Sequence, residues 1–232
     1  MSGRGGKAVF STELAYVFGI VLVALGTVFM TKADLGLSMV VAPAYLIYLK
    51  LSTLWSFVTF GMAAYTVEAV LLVAMMMLLR KFRLYFFFSF VTAVLFGLTL
   101  DGLTLLLQPL TAEQLLTRIL FFAVGLCLGA TGISCMFHTY IAPEVYELFV
   151  KEVSKAYGAD INKFKIGYDC CSCFVAICMS FIFFGLFHFE GVKLGTVICA
   201  FLNGSIIRLV SRFLDGHWEF RDSLRLRKYF ES

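Results

Sequence analysis

Charged residues are scarce in this sequence. Asp, Glu, Lys and Arg make up 15% of its 232 residues, against about 25% in an ordinary soluble domain. That shortage excludes a soluble fold for most of the chain. Hydrophobic residues reach 61%, more apolar surface than one soluble core can hide, and lipid is the solvent that accepts the excess. Histidine is scarce too: His138, His188 and His217 lie far apart, and no H-E-x-x-H, Walker loop or G-x-S-x-G is present. With those motifs missing, no catalytic pair declares itself and the expected role is not enzymatic. Cysteine is not scarce, but Cys127, Cys135, Cys170, Cys171, Cys173, Cys178 and Cys199 all lie in apolar segments. They read as small hydrophobes packed between helices, not as a disulfide framework. Cys170 and Cys173 form one C-x-x-C with no second pair to complete a zinc site, so neither a metal nor a cofactor is expected. The net charge of +4 is assigned to basic loops at a membrane surface, with no nucleic-acid partner.

What is present is a set of long apolar runs. Leu14–Met30, Leu54–Leu79, Leu84–Leu107, Ile119–Phe137, Cys170–Phe187 and Val192–Leu209 are each close to the length of a spanning helix. Helices satisfy their own backbone in lipid, so an all-α polytopic membrane protein of six spans is predicted, with 1–232 as one membrane domain. The basic residues give the orientation. With both termini inside, fifteen Lys and Arg fall on the inner side, and only Lys32, Lys50, Arg118 and Lys193 fall outside. That asymmetry predicts N-terminus and C-terminus in the cytoplasm.

The spans also repeat. Gly19, Ala24, Gly26 and Met30 match Gly125, Ala130, Gly132 and Met136 at an offset of 106; Gly61 matches Gly167, and Gly97 matches Gly204 one residue later. Two units of three spans, 12–110 and 117–214, with a tail at 215–232, would enter the bilayer from opposite faces as an inverted repeat. Each unit carries an irregular connector after its first span. Residues 33–50 are apolar but broken by Gly36 and Pro43, which predicts a re-entrant or interfacial segment on the outer side. Residues 139–164 echo it with Ala142-Pro143, then interleave Glu144, Glu147, Lys151 and Glu152 with apolar residues. An amphipathic helix lying on the inner surface is expected there.

Ionisable groups inside spans are the strongest functional pointers, since a charge at the bilayer centre costs roughly 2.5–3.5 kcal/mol on insertion scales. Glu68 lies mid-span with Gly61, Ala64 and Tyr65 on its face; Asp101 lies in the third span; Asn203 and Arg208 lie in the sixth. A central site follows, with Glu68 binding a cation or proton, and Asp101 and Asn203 adding oxygen ligands. The structural alternatives are a protonated Glu68 bonded to a neighbouring helix and an Arg208 that snorkels to the interface. Asp34 reads as a helix-end carboxylate or the mouth of a cavity, and Asp169 as a helix-start charge. In the first connector Gly36, Ser38, Pro43 and Tyr45 are the candidate gate residues.

Asp34-Leu35-Gly36-Leu37-Ser38, Asp101 after Gly97, Asp169, and Gly195-Thr196 with Gly204 together resemble the YczE/YitT type of uncharacterised bacterial integral-membrane proteins. The likeness covers most of the chain. It departs at Met39, where family members often carry proline, and Pro43 comes later. The resemblance implies a bacterial cytoplasmic membrane and no established substrate. The residues themselves favour a small-solute transporter whose partners are the lipid bilayer and an unknown small solute or ion. The alternatives are a substrate-binding subunit of a multi-subunit importer and a membrane-embedded assembly factor, and either a homodimer or a partner subunit would suit them.

Overall fold

The computed structural model describes residues 8–185 and 190–224. Arg4, Lys7, Arg225, Arg227 and Lys228, which contribute to the charge asymmetry, lie outside the described residues, as do Phe187 and His188. Among the described residues, six helices are long and apolar enough to cross a membrane: α1 (Thr12–Ala33), α3 (Phe60–Leu79), α4 (Leu84–Leu106), α5 (Leu115–Phe137), α7 (Ile161–Phe184) and α8 (Leu194–His217). The chain is a multi-pass, all-α membrane protein. Two shorter helices, α2 (Ala42–Ser52) and α6 (Val145–Ala156), occupy the connectors. A short parallel pair of strands, β1 (Ala8–Ser11) and β2 (Trp218–Arg221), ties the start of the chain to the end of α8.

Helices α1 and α5 form the centre, and glycine explains why. A Cβ on Gly26 would fall 2.6 Å from the Gly125 carbonyl oxygen, and one on Gly132 would fall 2.6 Å from the Gly19 carbonyl oxygen. Hydrogen at those positions lets two backbones touch, which is how membrane helices gain packing without a hydrophobic force between them. Helix α4 packs against α1, and α8 packs against α5. The connector helices cross over: α2 packs on α7, and α6 packs on α3.

Three boundaries differ from the expectation. The second span starts at Phe60, because Thr59 caps it by accepting the Met62 N–H at 3.2 Å. The fifth starts at Ile161, where the Asp160 carboxylate accepts the Lys163 N–H at 2.9 Å. Lys163, Lys165 and Asp169 therefore lie within α7, and Asp169 is two turns past its start. It is not a helix-start charge. The sixth span runs on to His217.

Helix α6 corrects the larger expectation. It is amphipathic, as expected, but its first turn is enclosed: Val145, Leu148 and Val153 are buried with residues of α3 and α4, and Glu147 meets Lys165 of α7, while Lys151 and Lys155 stay exposed. The two prolines also differ in role. Pro43 sits in the first turn of α2, where a missing N–H costs nothing. Pro143 precedes Glu144, the residue that flanks the start of α6.

Candidate functional site

Each connector reaches into the bundle and bonds to the far set of helices. In the first, Asp34 closes α1 in the left-handed conformation (φ 51°). Gly36 follows at φ 121°, and a Cβ there would fall 2.6 Å from the Thr196 nitrogen, so glycine is required for both reasons. Leu35 O accepts the Gly195 N–H at 2.8 Å, and the Leu37 N–H donates to Thr196 Oγ1 at 3.2 Å. This docks the connector on the start of α8. In the second connector, Ser89 Oγ donates to Pro143 O at 2.5 Å and Thr92 Oγ1 to Ala142 O at 2.9 Å. Both hydroxyls are on α4. Backbone that could find no water at this depth is satisfied by protein instead.

Between the connectors lies a cavity of about 70 Å³, room for a few heavy atoms. Ser38 to Val41 form one wall, and Pro143, Glu144, Tyr146 and Glu147 the other. Met30 on α1, Gly129 and Ile133 on α5, Lys165 and Asp169 on α7 and Asn203 on α8 also line it, with further residues of α1, α5 and α8. Glu144, just ahead of α6, and Glu147, in its first turn, both face this space.

Most of the charges have partners. Lys165 Nζ donates to Glu147 Oε1 at 2.7 Å and stands 5.0 Å from the centre of the Tyr146 ring. The Tyr146 hydroxyl donates to Asp169 Oδ1. Burial, with Glu147 and Asp169 nearby, pushes the Tyr146 phenol up from its ordinary range, so it serves as a donor. Glu144 is different. Its Oε1 is buried with no hydrogen-bond partner among the described residues. Burial, together with the neighbouring Glu68 and Glu147, holds its carboxyl well above the usual range, because a lone charge there lacks both water and a counter-ion.

The candidates named from sequence divide. Asp169, Asn203 and Ser38 line the cavity. Glu68 stands behind it: its Oε2 accepts the Val145 N–H at 3.1 Å, an acceptor for the exposed donors that start α6. Asp101 has a job elsewhere. Its two oxygens accept from Thr59 Oγ1 at 2.6 Å and from the Gly61 N–H at 2.7 Å, fastening α4 to the start of α3. Tyr65 packs on Gly97 at the same crossing. Asp34 pairs with Arg118 at 3.1 Å and Lys193 at 2.5 Å near the bundle end, half exposed. Arg208 is exposed, as a snorkelling side chain would be. Tyr45 packs against Phe60 with ring centres 5.2 Å apart, and burial beside Asp34 and Glu190 pushes its phenol up to about 12. Pro43, at the start of α2, and Gly36 shape the connector and do not line the cavity.

Asp101→Ala is expected to cost about 1–3 kcal/mol through the unsatisfied Gly61 N–H, read as a lower melting temperature in detergent. Arg208→Ala, 107 residues on, should leave melting unchanged.

Glu144, Tyr146, Glu147 and Lys165 also belong to the site, although nothing in the chain marks them as site residues. The polar stripe of α6 is legible, but a stripe does not say whether it meets water, headgroups or a cavity.

Residues 10–212 match the model of DUF6198, described as a family of unknown function. No curated protein and no solved structure matches the chain.

Proposed function

Because the chain belongs to the DUF6198 family, whose function is unknown, we propose its role from the site alone: a small-solute transporter made of two inverted three-helix units. The carrying observation is the cavity, walled by two broken connectors that arrive from different parts of the bundle. Discontinuous backbone around a central site is how secondary transporters hold solutes.

Reciprocal contacts support the repeat. Gly26 meets Gly125 as Gly132 meets Gly19, and an offset of 106 exchanges the two contacts. Each connector also bonds to a hydroxyl of the opposite unit: the Leu37 N–H donates to Thr196 Oγ1, and Pro143 O accepts from Ser89 Oγ. One pair breaks the correspondence. A Cβ on Gly61 would fall 2.1 Å from the Gly97 carbonyl oxygen, whereas a Cβ on Gly167 or Gly204 would meet no described atom of another element within 4 Å. The crossing of α3 and α4 is closed, and that of α7 and α8 is open. Two like units in unlike conformations are what alternating access requires: exchanging them would close one side of the site and open the other.

On this reading the protein is not an enzyme and needs no cofactor. Its partners are the bilayer and the solute. It resides in a bacterial cytoplasmic membrane with both termini inside, as the basic residues and the YczE/YitT-like motifs suggest. The junction of Asp34–Leu37 with Gly195-Thr196 joins two of those motifs.

Gly129 lines the cavity, and a Cβ there meets no described atom of another element within 4 Å. Gly129→Leu should therefore fill the cavity without breaking the fold. Proteoliposomes holding the purified protein and a defined mixture of small amines, amino acids, organic acids and nucleosides should accumulate one class, and the variant should not. Equal uptake by both proteins would refute this site.

A further inference from the structure

We infer that the ligand of this cavity is a small organic cation, its ammonium group seated on Glu144 and its short apolar body against Met30, Met39 and Ile133. The inference deepens the transport reading and rests on the cavity being the ligand site.

Charge carries the first step. Three carboxyl groups (Glu144, Glu147 and Asp169) and one ammonium (Lys165) line the space, and Glu68 stands directly behind, at Val145. The one cation lining the space, Lys165, is already paired with Glu147, so an anionic ligand finds no unpaired positive charge among the described lining residues, whereas a cation favours the ionised form of Glu144.

Partnering carries the second step. Lys165 is taken up by Glu147, and Asp169 receives the Tyr146 hydroxyl. Glu144 Oε1 has no partner. A buried carboxylate is tolerated when it is paired and hydrogen-bonded, and a ligand with N–H donors and positive charge supplies both at once. Neutral donors supply only the hydrogen bond.

Shape carries the third. Methionine and aliphatic side chains form much of the remaining wall, which suits a hydrocarbon body better than a hydrated inorganic ion. Among the described residues, no three His, Cys, Asp or Glu side chains are grouped to hold a metal ion. The volume of about 70 Å³ limits the ligand to a few heavy atoms.

The test uses the full-length protein in detergent and follows its melting temperature during titration with propylammonium chloride, at ionic strength matched with sodium chloride. Sodium propionate and propanol serve as anionic and neutral probes of the same length. Propylammonium should raise the melting temperature saturably, and the other two should not. Glu144→Gln should weaken the apparent affinity at least tenfold, and Gly129→Leu should remove the response. Stabilisation by propionate or propanol equal to that by propylammonium would overturn the inference. So would an undiminished response in both variants, or no response to any amine from methyl- to butylammonium. The two readings fail separately. Uptake of a neutral or anionic solute, blocked by Gly129→Leu, would leave transport standing and remove the cation. Propylammonium binding lost in Glu144→Gln, with no solute crossing the proteoliposomes, would keep the cation site and remove transport.

Discussion

Gly26→Leu should yield no monodisperse folded protein, or a protein with a much lower melting temperature. The first side-chain carbon alone would stand 2.6 Å from the Gly125 carbonyl oxygen and 2.7 Å from the Gly129 nitrogen. Both are backbone atoms of α5, so no rotamer change relieves the clash, and the central helices must separate. Overpacking in cores commonly costs about 1–3 kcal/mol, and a forced separation of α1 from α5 should exceed that range, because α4, α8 and both connectors are arranged around this pair. Gly204→Leu is the control. It places the same residue at a helix glycine where an added Cβ would meet no described atom of another element within 4 Å, and it should melt like the parent. Similar behaviour of the two variants would mean that the α1–α5 crossing is not the centre of the fold.

Glu144→Gln should melt higher than the parent at neutral pH and should flatten the dependence of melting on pH. In the folded protein Glu144 holds its proton well above the ordinary carboxyl value of 4.5, whereas in the unfolded chain it titrates near that value. Below 4.5 both states are protonated and the full stability is present. As pH rises, the unfolded chain releases this proton and the folded protein keeps it, so stability falls until the folded group also ionises. Glutamine has nearly the same shape and no proton to lose. The groups facing Glu144 are Glu68 and Glu147, with Lys165, Asp169 and Tyr146 around the same cavity. Glu147 keeps the Lys165 ion pair, and Glu68 loses its neighbouring carboxyl, so the flattening reports Glu144 together with Glu68. Melting of the parent that rises with pH from 4.5 to neutrality would contradict the buried, unpaired state of Glu144.

Glu68 shows how far a single strong signal can be followed. A carboxyl in mid-span is a sound pointer to polar surroundings, and the cavity does lie on the other side of Val145. What Glu68 touches is a helix start, not the free space. Asp101 gives the same lesson: its polar partner is the start of α3. Both contacts span more than one helix, and helix-terminal donors cannot be located from spacing along a chain. Glu144 and Glu147 were visible as polar residues of an amphipathic stretch. Their role depends on what that stretch meets, which is set by α1, α5 and α7.

That this is a helical membrane protein follows from composition and run length alone. Lipid accepts only segments that satisfy their own backbone, and the lengths of its apolar runs leave no other solution. The sequence also marked the glycines that can pack closely and the two connectors that break regular structure. Only the tertiary structure decided which glycines touch. Gly61 and Gly97 are closed on each other while Gly167 and Gly204 are open, although spacing along the chain treats the two pairs alike. It likewise turned Glu144 and Glu147, at the start of α6, to the interior, while Lys151 and Lys155 stay exposed. The reason is common to both: close contact and burial depend on the relative placement of helices distant in sequence, and local periodicity carries no information about that placement.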